Sequence, residues 1–149
     1  MEKLHFEIKI NAPAKIVVEQ MIGKETYPKW TKPFSSTSDF EGGWNKGDKI
    51  LFTSLDKEGN KHGMVAKIAE HIPNEFISIH HYGVLEKGKE ITEGPAVDSW
   101  ANCFENYYYQ ENNGKTTVRV EVDSAEDHAD YMESMWPKAL DILKQLCEA

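Results

Sequence analysis

Six histidines, two cysteines and a scatter of carboxylates and serines are the residues that could carry chemistry, and their spacing excludes most of it. His80 and His81 are adjacent in a strand-like run, so their rings point to opposite faces of a sheet and cannot share one metal ion. His62 and His71 flank another such run, His5 and His128 stand elsewhere, and no HxH, HxxxH or Cys/His spacing occurs. No metal or other cofactor is expected. The acidic stretch from Glu121 to Glu133 lacks the ligand alternation and glycine of an EF-hand loop. It reads as a solvated connection into a helix whose first turn favours carboxylates. Ser35, Ser36 and Ser54 have no nucleophile-elbow context, and Gly42-Gly43 lies in a strand pattern with no GxxxxGK around it. Cys103 and Cys147 belong to no CxxC pair and sit in apolar stretches, as reduced, partly buried thiols of a cytosolic protein do. His81 remains: alternation puts it on the face of Ile77 and Ile79, so it points inward if they do.

The elements that would position such residues follow from periodicity. Leu4, Phe6, Ile8 and Ile10 alternate with polar neighbours as a half-buried strand, not a signal peptide. Pro13 suits the first turn of a helix over Ala14 to Ile22, capped near Asn11 or Ala12 and closed by Gly23 as a C-terminal cap. Ile16, Val17 and Met21, with Gln20 beside them, would form its inner side. A short helical turn then carries Trp30. Strands are expected over Thr37 to Trp44, Lys49 to Leu55, Gly63 to His71, Phe76 to Tyr82, Trp100 to Gln110 and Thr116 to Asp123, with turns at Lys46-Gly47-Asp48, Asp56 to Asn60, Ile72 to Glu75 and Glu111 to Gly114. Residues 84 to 99, rich in Gly and Glu, read as a long, mobile loop. From Asp127 to Cys147 the period becomes helical, with Pro137 marking either a kink or the first turn of a second helix.

Hairpin-linked strands imply an antiparallel sheet, and the terminal helix is the one long amphipathic element able to cover its apolar face. The expected fold class is therefore α+β. A curved sheet closing on one helix leaves a space where a ligand would go. The 149 residues suit one domain, residues 1–149. A net charge of −8, from 25 acidic against 17 basic side chains, repels phosphate backbones and anionic lipid, so no nucleic-acid partner is expected. No apolar run approaches the roughly 20 residues that span a bilayer, and a cytoplasmic location is expected.

Several strings, in order, resemble the START-like or SRPBCC superfamily, the helix-grip, birch-pollen-allergen-like group. These are Ile10-Asn11-Ala12-Pro13, Trp30, Gly42-Gly43-Trp44, Lys46-Gly47-Asp48, Gly63-Met64-Val65, Ile72-Pro73, Glu105-Asn106-Tyr107 and Trp136-Pro137-Lys138-Ala139-Leu140. The nearest likeness is to the bacterial branch similar to the activator of heat-shock-protein-90 ATPase. The resemblance implies a helix-grip fold: a curved antiparallel sheet of about six or seven strands wrapped around a long C-terminal helix, with one or two short helices after the first strand. It also implies that Cys103, Glu105, Tyr107 and Tyr109 face inward with His81. The expected cavity lining is completed by Trp30, Met64, Ile79, Trp100, Met132, Met135, Trp136 and Leu140. The leading expectation is a carrier or sensor of a small, largely apolar molecule, without catalysis. A stress-linked, co-chaperone-like interaction with a protein partner stands beside it, and a cyclase- or hydrolase-like enzyme using Glu105 and His81 stands behind both.

Overall fold

The computed structural model describes residues 1–98 and 102–149. The alternation at the N-terminus becomes β1 (Glu2–Ile10), which pairs along its whole length with β8 (Lys115–Ser124). In β8, Val118, Val120 and Val122 are buried while Thr117, Arg119 and Glu121 turn outward, as a strand of period two requires. Between them the chain forms α1 (Ala14–Ile22), α2 (Tyr27–Trp30), β2 (Asp39–Gly42), β3 (Lys49–Leu55), β4 (Lys61–Ile72), β5 (Phe76–Glu86), β6 (Lys89–Ile91), α3 (Pro95–Asp98) and β7 (Cys103–Asn112). A 3-10 turn at Glu126–His128 leads into α4 (Ala129–Glu148). The eight-stranded antiparallel sheet runs β1-β8-β7-β5-β4-β3-β2, with β6 beside β5. The fold is the α+β, helix-grip arrangement that was expected.

Two bulges bend the sheet. Tyr82 is the extra residue of β5 and Ala69 that of β4, and each bulge sharpens the local twist. β5 changes partner at the first of them: residues 76–81 pair with β7 and residues 84–86 with β6.

Several expectations are corrected. Among the described residues the sheet has eight strands, because residues 84 to 98 of the expected 84 to 99 loop are not one long loop and residue 99 lies outside the described residues. β5 runs on to Glu86, and Lys87-Gly88, at φ 49° and 78°, makes a two-residue turn into β6. α3 then packs against β5 and buries Val97. Only Asp39–Gly42 of the expected Thr37 to Trp44 strand pairs. α1 buries Ala14, Val17, Val18 and Met21, leaving Ile16 half-buried. Its N-terminus has no side-chain cap from Asn11 or Ala12; instead the Ala14 amide donates to Glu111 Oε1 at 2.7 Å. Gly23 is not a left-handed cap, since its φ is −68°. A Cβ there would lie 2.7 Å from the Glu19 carbonyl, so close approach is what requires glycine. Gly63 answers the same need more severely: its Cβ would stand 1.8 Å from the Phe52 carbonyl of β3.

α4 is one helix with Pro137 inside it. Pro137 and Glu133, whose carbonyl loses its helical donor, are both exposed, so water can satisfy that oxygen. The buried stripe Trp136, Ala139, Leu140, Leu143 and Cys147 packs against β1, α1 and α2 and joins one core with Ile50, Ile68, Ile77, Ile79 and Tyr107.

Candidate functional site

β5 and β7 set the centre of the site through their register. His81 lies opposite Cys103 and Ile79 opposite Glu105, so His81 and Glu105 are diagonal neighbours on one face. Tyr107 follows two residues after Glu105 on that face. The geometry makes a relay: Tyr107 Oη donates to Glu105 Oε2, and Glu105 Oε1 lies 3.3 Å from His81 Nε2. Tyr107 and His81 are buried, and the Glu105 side chain is 19% exposed. Among the described residues His81 Nδ1 has no partner. The Phe52 ring packs against the imidazole, 5.6 Å away and tilted by 55°.

Above the relay lies a cleft of about 710 Å³. The first half of α4 supplies Met132 and Trp136, and α2 with its following loop supplies Tyr27, Trp30 and Phe34. The sheet supplies Phe52, Met64, His81, Val84, Cys103, Glu105 and Val122. Trp136 anchors the aromatic wall, stacked on Phe6 at 5.9 Å and meeting Phe34 edge-on at 5.2 Å. Trp30 is fixed by donating from Nε1 to the Met21 carbonyl at 2.9 Å. The exposed Asp127, His128 and Tyr131 stand at the solvent edge, where Tyr131 Oη donates to the Phe34 carbonyl at 2.7 Å.

Electrostatics here hold protons in place. Burial, and then the Glu105 carboxylate, push the Tyr107 and Tyr27 phenols well above their ordinary range. Burial, and then Asp123, raise the Cys103 thiol, which opposes thiolate chemistry. Asp123 itself is engaged by Lys3 at 3.0 Å and by the Phe104 amide at 2.9 Å. Among the described residues no group of three His, Cys, Asp or Glu side chains could hold a metal ion.

Of the residues singled out from sequence, Trp30, Met64, His81, Cys103, Glu105, Met132 and Trp136 come together around the cleft. Tyr107 lies beneath it, bonded to Glu105. Ile79 and Leu140 do not line it; they pack in the core. Tyr109 lies four residues beyond Glu105, about 13 Å along an extended strand, and donates to Met21 Sδ at 3.1 Å near α1. Met135 is half-buried beside Trp136 and a helical residue step of roughly 100° away from it, off the lining. Trp100 lies outside the described residues. Sequence reasoning missed Tyr27, Phe34 and Phe52, and also Ser35, Ser38, Thr53 and Ser54, which give the lining hydroxyls. The alternation Ile50, Phe52, Ser54 could have revealed one of these faces.

No family model matches this chain, and no curated protein does. Solved structures do match. A protein from Nitrosomonas europaea superposes with a TM-score of 0.75 at 17% identity, over 98% of this chain and 94% of that one. The Aha1 dimer from Colwellia psychrerythraea gives 0.72 at 20% identity, over 99% and 97%. DynU16, a protein of the dynemicin biosynthetic locus, gives 0.70 at 12% identity, over 100% of this chain and 48% of that one. The chain shares the fold of these proteins, a curved antiparallel sheet closed by a long C-terminal helix. At these identities the likeness concerns the fold, and a helix-grip scaffold hosts unrelated functions, so function must be argued from the cleft.

Proposed function

We propose that this helix-grip chain, acting as one START-like domain, binds a small, largely apolar molecule between its sheet and α4, as a carrier or sensor and without chemistry. The observation that carries this reading is the cleft of about 710 Å³, walled in large part by aromatic and aliphatic side chains, with the His81–Glu105 pair on its sheet side and the Ser35, Ser38, Thr53 and Ser54 hydroxyls elsewhere in its lining. That volume lies within the roughly 300–1,000 Å³ usual for small-molecule sites. The protein would work in the cytoplasm with Cys103 and Cys147 reduced.

Native mass spectrometry of freshly purified protein, set against its denatured mass, tests the proposal. An additional non-covalent mass on the order of a few hundred daltons is expected, as suits a drug-sized site. A bare protein that also fails to retain any apolar compound from a cell extract would overturn it. Acid–base chemistry is the second reading, favoured by the relay alone. It requires Glu105→Gln to abolish turnover while leaving the fold intact.

A further inference from the structure

Glu105 is a charge that the cleft encloses without an opposite. It stands on the inner face of β7, paired with Ile79 and Val122, which are 0% and 4% exposed. Its own side chain keeps 19% of its surface and lines the cleft, so that surface opens inward to the cleft and not to the outer face of the sheet. Two hydrogen bonds reach the carboxylate, from Tyr107 Oη to Oε2 and from His81 Nε2 to Oε1 at 3.3 Å. A carboxylate has about four acceptor sites, so about two stay open to a guest.

Neither partner brings a positive charge. Burial, and then Glu105 itself, hold Tyr107 as a neutral phenol. His81 is buried, and its Nδ1 has no partner among the described residues. A doubly protonated imidazole would leave a charged N–H unbonded there, which costs far more than a bare neutral nitrogen, so the ring is neutral. The other two lining carboxylates are answered. Asp123 meets Lys3 at 3.0 Å, and Asp127 precedes the amino end of α4, where a helix favours negative charge. The described lining holds no lysine or arginine, and Ser99, Trp100 and Ala101, outside the described residues, carry no charge.

The rest of the lining does not offset Glu105. The Ser35, Ser38, Thr53 and Ser54 hydroxyls accept as readily as they donate. Trp136 Nε1, like His81 Nδ1, is buried and has no surface to give a guest. Aromatic rings flank the relay, with Phe52 5.6 Å from His81 and Trp136 6.3 Å from Tyr107. Such rings attract a cation to their faces and carry no charge that would repel one.

We infer that the guest is an organic cation: a largely apolar molecule whose one protonated amine donates to Glu105 while the aromatic walls hold the remainder. This rests on the proposed carrier reading of the cleft.

Three probes of one frame test it: 2-naphthylmethylamine, 2-naphthylmethanol and 2-naphthoate, titrated by calorimetry at neutral pH into wild-type protein, Glu105→Gln and Asp127→Asn. Wild type is expected to bind the amine, an ammonium at that pH, roughly tenfold more tightly than the alcohol, since a charge-assisted hydrogen bond is about twice as strong as a neutral one. The naphthoate should bind most weakly. Glu105→Gln keeps the shape without the charge, so the amine should lose its advantage while the alcohol still binds. Asp127→Asn should keep the preference, and its loss there would assign the charge to the rim and overturn the role of Glu105. A second measurement needs no variant: nitrogen NMR should show His81 with one ring proton at neutral pH. Equal wild-type affinities for amine and alcohol, an amine preference that survives Glu105→Gln, or a doubly protonated His81 would each overturn the inference and leave the cleft as a binding site. Binding of none of the probes would also overturn the cationic guest, and the mass measurement above then decides the cleft reading by itself.

Discussion

Replacing Glu105 with leucine tests the relay as a unit. The change keeps the side chain's size but leaves two buried donors, Tyr107 Oη and His81 Nε2, with no acceptor. An orphaned buried donor costs about 1–3 kcal/mol. Tyr107 is wholly buried and bears that in full, while the half-open cleft lets water reach His81 in part. Glu105→Leu should therefore destabilise by about 3 kcal/mol. Tyr107→Phe removes one donor and frees a carboxylate oxygen on a 19% exposed side chain that water can reach, so it should cost only about 1 kcal/mol. In the Tyr107→Phe background the Glu105→Leu change no longer strands a hydroxyl, and its cost should fall by about 1–3 kcal/mol. Urea unfolding followed by tryptophan fluorescence reads all four proteins, with an unchanged m-value as the control. Additivity of the two changes within about 0.5 kcal/mol would refute the relay as the organiser of the cleft floor.

Other outcomes follow from single contacts. Gly63→Ala should lower stability by about 3 kcal/mol in a thermal melt, since the added carbon would stand 1.8 Å from the Phe52 carbonyl. Asp56 accepts from the Asn60 and Glu58 amides and from His62, and the Asn60 amide above all holds its pKa down from 3.8 to about 2. Its contribution is present above the unfolded-state value and lost as pH falls from about 4 towards 2, so stability should decline across that window in wild type and decline less in Asp56→Asn. Burial, and then Glu148, push the Cys147 thiol up to about 11. A thiol reagent at pH 8 should modify it slowly in the folded protein and rapidly in urea; rapid labelling without unfolding would refute its burial.

Where one local pattern decides an element, the sequence was readable. Lys49–Leu55 and Ala14–Ile22 fall where the pattern puts them, and the inward face shared by His81, Glu105 and Tyr107 follows from period two along β5 and β7. Alternation gives the face but not the depth, which is why Tyr109 shares that face and yet sits near α1. Residues 84 to 99 were misread because Gly, Glu and Pro there suggest solvent, while α3 packs against β5 and buries Val97 through a contact that no local pattern encodes. Tyr27 and Phe34 were missed for the same reason: the approach of α2 and its following loop to a cleft is a tertiary fact.

Pro137 divides α4 between two duties. Before it, Met132 and Trp136 form a wall of the cleft; after it, Leu140, Leu143 and Cys147 hold the core. Proline withdraws the backbone tie that would link Glu133 to residue 137, which weakens the ladder between the first two turns and the rest. Local opening free energies differ in this way along a single element, and amide exchange reports them. Amides of residues 130–136 should exchange through small openings, and those of residues 140–147 only when the whole molecule unfolds. On the proposed carrier reading, that difference would let the wall admit and release a guest while the same helix keeps the core packed.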